Sequence, residues 1–154
     1  IIIKKNLFLY KKSTFLIIGS GEKINQFKEF IKINNIQNFK FLGFKSQREL
    51  INYYKISDFL ILPSKYETWG LVVNEAMSLG TPCIVSDGCG CANDLVISNK
   101  TGFVYKKGNY LNLFQIINYT FSKNFNYNKM KILALAKIKK FSMRQTFEVI
   151  QKIK

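Results

Sequence analysis

The nine residues Glu67-Thr68-Trp69-Gly70-Leu71-Val72-Val73-Asn74-Glu75 carry two carboxylates with seven residues between them. Helical periodicity is predicted from Trp69 to Leu79, with Gly80 in the C′ position before Pro82. On that reading Glu67 stays in the loop and Glu75 lies about one and a half turns into the helix, roughly 8–9 Å along its axis. Between them the first N–H groups, of about Gly70–Val72, have no acceptor within the helix, so they and the positive dipole end favour an anion. The order is carboxylate, anion site, carboxylate. A nucleotide sugar has the matching order of sugar hydroxyls, diphosphate and ribose hydroxyls: carboxylates accept from vicinal hydroxyls, and backbone N–H groups hold phosphate without a metal. Gly70 would let the backbone approach the phosphate closely. Spacing alone leaves open a plainer account, an acidic residue stabilising a helix start plus an exposed helical glutamate.

A second candidate, Gly19-Ser20-Gly21, follows an apolar run and precedes a helical segment. It has the placement of a nucleotide-binding turn. The dinucleotide fingerprint fails, however: Ile24 stands at the third glycine position, Glu22 stands where a pyrophosphate would approach, and no acidic residue closes the next strand.

Composition narrows the chemistry. With no His among 154 residues there is no imidazole base, no His-based triad and no His ligand. Cys83, Cys89 and Cys91 are odd in number and closely spaced, which points to packed thiols in a reducing compartment, and without His they fall short of a four-ligand zinc site. The formal charge is +15, carried by 22 Lys but only two Arg, Arg48 and Arg144. From Ser57 to Val104 the balance reverses, with Lys65 and Lys100 against Asp58, Glu67, Glu75, Asp87 and Asp94. A nucleic-acid reader would concentrate its cations, Arg above all, on the working surface. Here the motif-rich centre is acidic, so the lysines read as solvated helix faces, with attraction to anionic lipid headgroups or to an acidic partner as the alternative use. No apolar run approaches the ~20 residues of a membrane span.

The elements that must position the motif alternate between strand-length apolar runs and helical periods, the pattern of βα units around a parallel sheet. Strands are expected at Thr14–Ile18, Phe39–Leu42, Asp58–Leu62, Cys83–Val85 and Gly102–Tyr105. Helices are expected at about Glu22–Asn34, Gln47–Ile56, Trp69–Leu79 and Cys91–Ile97. After Gly108 the pattern is helical, with a break near Ser122–Asn128, and Ile1–Tyr10 reads as the tail of a helix. Ser46 and Glu49 form a capping box, and Leu50, Ile51 and Tyr54 make a stripe toward the sheet. One α/β domain with one sheet is expected, and Gly88-Cys89-Gly90 is a turn.

The stretch Asp58–Val104 resembles the C-terminal donor half of the group-1 retaining glycosyltransferases (glycosyltransferase family 4). The resemblance rests on Pro63-Ser64, Glu67, Trp69-Gly70, Glu75-Ala76-Met77, Gly80-Thr81-Pro82, Ser86-Asp87 and Gly102-Phe103-Val104. Upstream, Ile18-Gly19-Ser20-Gly21 and Phe41-Leu42-Gly43 fit the same pattern, and Phe141-Ser142 with a following helix fits its end; the coverage is about Thr14 to Lys152.

The resemblance implies a GT-B fold, of which residues 1–154 would be the C-terminal nucleotide-sugar-binding domain, a Rossmann-like parallel sheet flanked by helices. It implies that Glu67 contacts donor-sugar hydroxyls as the catalytic residue. Trp69, Gly70, Leu71 and Val72 would hold diphosphate through the backbone, Glu75 the ribose, and Gly43 and Phe44 would lie near the base, with Gly19 at the glycine turn. The implied activity is retaining transfer of a hexosyl unit to a glycan or lipid-linked acceptor, as in polysaccharide biosynthesis, without metal or cofactor. The implied setting is cytoplasmic, peripheral at the inner face of the membrane. The family's diphosphate-neutralising Arg and Lys would precede Ile1, so the N-terminal acceptor domain and the start of this domain are expected from elsewhere, with little activity from this chain alone. Trp69 replaces the family's commoner Phe or Pro, and Asn93 stands where a related subgroup often has Pro. The rival from another class is a non-catalytic basic module that binds nucleic acid or an anionic membrane.

Overall fold

A computed structural model describes residues 13–141. The expected helix tail at Ile1–Tyr10 and all but the first residue of the Phe141-Ser142 motif lie outside them. The chain forms two compact units, divided between Leu50 and Ile51.

In the first unit, strands β1 (Phe15–Ile18) and β2 (Phe39–Gly43) pair in parallel, with a register shift between Ile17 and Ile18 that sets Ile18 opposite Gly43. Helix α1 (Ile24–Ile33) connects them. Phe15 stacks on Phe39 with centroids 4.7 Å apart, and Phe27 meets Phe39 and Phe41 edge-on at 5.4 and 5.5 Å. That aromatic cluster pins the helix to the strands, because edge-on and offset stacks combine apolar burial with favourable ring electrostatics.

Helix α2 (Gln47–Ile56) begins in the first unit and ends in the second. Its capping box forms as expected. The Ser46 N–H donates to Glu49 Oε2 at 2.9 Å, the Ser46 hydroxyl donates to the same oxygen at 2.8 Å, and the Glu49 N–H donates back to Ser46 Oγ at 3.4 Å. Of the expected stripe, Tyr54 is buried and Leu50 half-buried, but Ile51 is exposed.

The second unit holds β3 (Leu60–Leu62), β4 (Cys83–Ser86) and β5 (Gly102–Tyr105), all parallel in the order β3-β4-β5. Helices α3 (Leu71–Ser78) and α4 (Ala92–Leu95) make the crossovers, and α5 (Tyr110–Thr120) and α6 (Tyr127–Lys139) follow. Asn109 and Asn126 cap α5 and α6 by accepting from the N–H groups of Asn112 and Lys129. That explains the helical break near 122–128. Every residue of β4 is buried, as a central strand of a covered parallel ladder requires. Ile84, Phe103, Tyr105 and Met130 form the core beneath α5 and α6, with Phe59 and Phe125 packed on it.

The fold is α/β with parallel strands flanked by helices, as expected. Among the described residues the strands make two hydrogen-bonded ladders, β1-β2 and β3-β4-β5, where the sequence had suggested one. Apolar runs report that strands are buried; they do not report which strand each one pairs with.

Candidate functional site

Glu67 and Glu75 both belong to the second unit, and what lies between them differs from expectation in where the helix starts. The helix does not start at Trp69. Gly70 is its N-cap with φ 95° and ψ 59°, a left-handed conformation that cannot continue a right-handed helix, so α3 starts at Leu71. Glu75 is then four residues in, about 6 Å along the axis. The first capping bond runs from the Val73 N–H to the Gly70 carbonyl at 2.8 Å, and no side chain caps the helix. The N–H groups of Leu71 and Val72 therefore have no acceptor within the helix. Leu71 is 68% exposed, Val72 half-buried and Gly70 buried, so the helix start opens at the surface.

The loop before the helix is seated by backbone contacts from the turn after β4. The Glu67 N–H donates to the Gly88 carbonyl at 3.0 Å, the Gly90 N–H to the Glu67 carbonyl at 2.9 Å, and the Cys91 N–H to the Trp69 carbonyl at 3.0 Å. A Cβ on Gly88 would lie 2.2 Å from the Lys65 carbonyl oxygen, and one on Gly90 would lie 2.0 Å from that of Thr68. Both glycines are therefore needed for the two chain segments to touch. The sequence had marked Gly88-Cys89-Gly90 only as a turn. Trp69 is tied forward: its indole N–H donates to Asn74 Oδ1 at 2.8 Å, bracing the loop against the first turns of α3.

At the far end, Gly80 ends α3 in the predicted C′ role, with φ 81°. The Gly80 N–H donates to the Met77 carbonyl at 3.0 Å and the Thr81 N–H to the Ala76 carbonyl at 2.9 Å, which together are a Schellman motif. Val73, Ala76 and Met77 have no exposed surface, so one face of α3 is locked into the core.

Glu75 receives a hydrogen bond that sequence reasoning missed. The Tyr54 hydroxyl donates to Glu75 Oε2 at 2.9 Å. Burial, and then the bond to Glu75, push the Tyr54 phenol far above its ordinary range, so it stays a donor. The signal in the sequence was a tyrosine on an apolar stripe, whose polar tip must find an acceptor when buried.

The three thiols are buried and free. Burial pushes the Cys83 thiol well up, and burial with the neighbouring Cys89 pushes Cys91 up to about 11, so both stay protonated at neutral pH. Cys91 Sγ would sit 3.3 Å from a Cβ on Gly70, which makes it part of the wall behind the helix start.

Gly19, Gly43 and Phe44 form a second group, within the first unit. The Gly19 N–H donates to the Gly43 carbonyl at 2.9 Å, both glycines have positive φ (117° and 68°), and Phe44 is 80% exposed. A separate cleft of about 340 Å³, lined by residues such as Ser98, Asn99, Phe103, Asn112, Gln115 and Tyr119, holds none of the candidate catalytic or donor-binding residues. It has no charged lining residue with which to bind a diphosphate. Among the described residues no helix is long and apolar enough to cross a membrane.

Comparison with known proteins gives this geometry a context. The family model described as "Glycosyl transferases group 1" matches residues 2–135. The UDP-Gal:alpha-D-GlcNAc-diphosphoundecaprenol alpha-1,3-galactosyltransferase of Escherichia coli is 36% identical over 101 residues, covering 64% of this chain and 24% of the relative. The chain spans about a quarter of the length of the curated relatives it matches first. Among solved structures, the C-terminal domain of a glycosyl transferase group 1 family protein from Francisella tularensis superposes with a TM-score of 0.76 at 18% identity, covering 92% of this chain and 78% of that one. The Anabaena protein HepE, solved with UDP-glucose, superposes with a TM-score of 0.70 at 24% identity, covering 82% of this chain and 36% of that one. At those identities the superpositions speak to the fold, that of a GT-B C-terminal domain.

Proposed function

Because this chain belongs to the glycosyl transferases of group 1, we propose that its segment Glu67–Glu75 holds the nucleotide-diphosphate sugar for retaining transfer of a hexosyl unit. The observation that carries the reading is the left-handed Gly70 cap, which opens an uncapped helix start between two half-buried carboxylates. In this reading the N–H groups at the start of α3 and the helix dipole take the diphosphate. Glu67 accepts from hydroxyls of the donor sugar and is the residue beside the reacting centre, while Glu75 accepts from the ribose hydroxyls. As the bond from the anomeric carbon to the diphosphate breaks, its electron pair leaves with the diphosphate, and the helix-start donors stabilise that growing charge without a metal.

A donor bound on this domain alone is open to water. An N-terminal acceptor domain would complete the site and exclude that water. The acceptor is a glycan or a lipid-linked glycan, in line with the name of the Escherichia coli relative, and UDP sugars head the donor panel because that relative and the Anabaena protein are named with them. The setting is the cytoplasm, with the lysine-rich helix faces resting against the anionic inner face of the membrane.

The test is calorimetric titration of the chain with UDP, GDP, ADP and their sugar conjugates at two salt concentrations. One nucleotide series is expected to bind with a shallow salt dependence. Glu75→Gln should abolish binding of both the diphosphate and its sugar conjugate, and Glu67→Gln should remove the extra affinity of the conjugate. Donor affinity unchanged in the double variant would reject the reading. Steeply salt-dependent polyanion binding that survives both substitutions would favour a basic module instead.

A further inference from the structure

We infer that Tyr54 is a positioning residue of the donor site, holding the Glu75 carboxylate in the orientation that meets the nucleotide's vicinal hydroxyls; this rests on the role given to Glu75 above. Tyr54 is 7% exposed and is held at both ends. Its phenol donates to Glu75 Oε2 at 2.9 Å, and its backbone carbonyl accepts from the buried Thr81 hydroxyl at 2.7 Å. Thr81 closes the Schellman end of α3, so one tyrosine is tied to that helix's terminus and to the carboxylate in its middle.

A buried phenol needs an acceptor, and a backbone carbonyl would satisfy it. Here the acceptor is one of the two carboxylates whose spacing marks the site. A glutamate has three rotatable side-chain angles, and immobilising them when ligand arrives costs affinity. A buried phenol on a residue whose backbone carbonyl is anchored by Thr81 sets those angles beforehand and uses one of the roughly four lone-pair positions of the carboxylate. The bond is charge-assisted, which makes it among the stronger side-chain hydrogen bonds.

The test compares Tyr54→Phe, which keeps the ring and removes only the donor, with Glu75→Gln and the double variant, titrated with the member of the UDP, GDP and ADP series that binds. Tyr54→Phe should weaken binding about 5- to 20-fold, a part of what one hydrogen bond to a charged group is worth, because the phenol acts on the nucleotide through Glu75. In the Glu75→Gln background the same change should alter any residual affinity less than about 2-fold. In protein labelled with 13Cζ-tyrosine, the resonance that disappears in Tyr54→Phe should shift in Glu75→Gln and on addition of the nucleotide. That spectroscopic arm uses Tyr54→Phe only to assign the resonance and reads the effect in wild-type and Glu75→Gln protein, so it does not depend on the affinity of Tyr54→Phe. Wild-type affinity in Tyr54→Phe while Glu75→Gln has lost binding would overturn the inference, as would an unmoved Tyr54 resonance in Glu75→Gln. Unchanged affinity in Glu75→Gln would instead reject the ribose-binding reading itself.

Discussion

In the first unit a Cβ added at Gly19 or Gly43 meets nothing within 4 Å, while in the second unit one added at Gly88, Gly90 or Gly102 falls 2.0–2.2 Å from a backbone carbonyl oxygen. Glycine serves two purposes in one chain. At β1 and β2 it supplies positive φ at strand ends that face open space. Around Glu67 it removes the side chain that would otherwise keep two backbone segments apart. Burial follows the same division: β1 is half-buried throughout, whereas β4 is wholly buried. The carboxylate motif is thus placed by close packing, and the Gly19 and Gly43 turns are placed by backbone conformation.

The largest effect that contrast predicts is at Gly90. Gly90→Ala should destabilise by about 4 kcal/mol or more, or yield no folded protein, because backbone must move to admit the methyl group. Urea unfolding measures this, and a loss as small as that of a Gly19 variant would break the comparison. Next is Met77→Ala, which empties a fully buried site on the core face of α3. It should cost about 2–5 kcal/mol in the same assay. Gly19→Ala should cost only about 1–2 kcal/mol, the strain of a positive φ without a steric clash.

The smallest effect belongs to the exposed capping box. The Ser46 backbone N–H, then its hydroxyl and Lys45, hold the Glu49 carboxyl below its ordinary value near 4.5. A depressed folded-state value means the stabilisation is present above pH 4.5 and fades as pH falls through that lower value. Carboxyl 13C titration should find Glu49 titrating below 4.5, moving back toward it in Ser46→Ala and at high salt.

Much of this was legible in sequence because it is local. The Ser46–Glu49 box, the Gly80 terminus, all five strands and the spacing of Glu67 and Glu75 each follow from residues within a few positions of one another. The start of α3 was misplaced by two residues because Trp69 and Gly70 continue the helical pattern, and only the left-handed φ of Gly70 breaks it. Three features could not be read locally: the seating of residues 65–69 on Gly88 and Gly90, the reach of Tyr54 to Glu75 across 21 positions, and the division of the strands into two ladders. Each depends on where distant segments meet, which a glycine doublet or an apolar stripe does not encode.

The central claim is that the start of α3, between Glu67 and Glu75, receives the donor's diphosphate. Amide NMR of 15N-labelled chain, titrated with UDP and UDP sugars and, if these fail, with the GDP and ADP series, tests it most directly. The account predicts saturable shifts largest at the Gly70, Leu71 and Val72 amides and absent in Glu75→Gln. Those three amides staying fixed, while lysine-rich helix faces shift in a salt-dependent way, would contradict it.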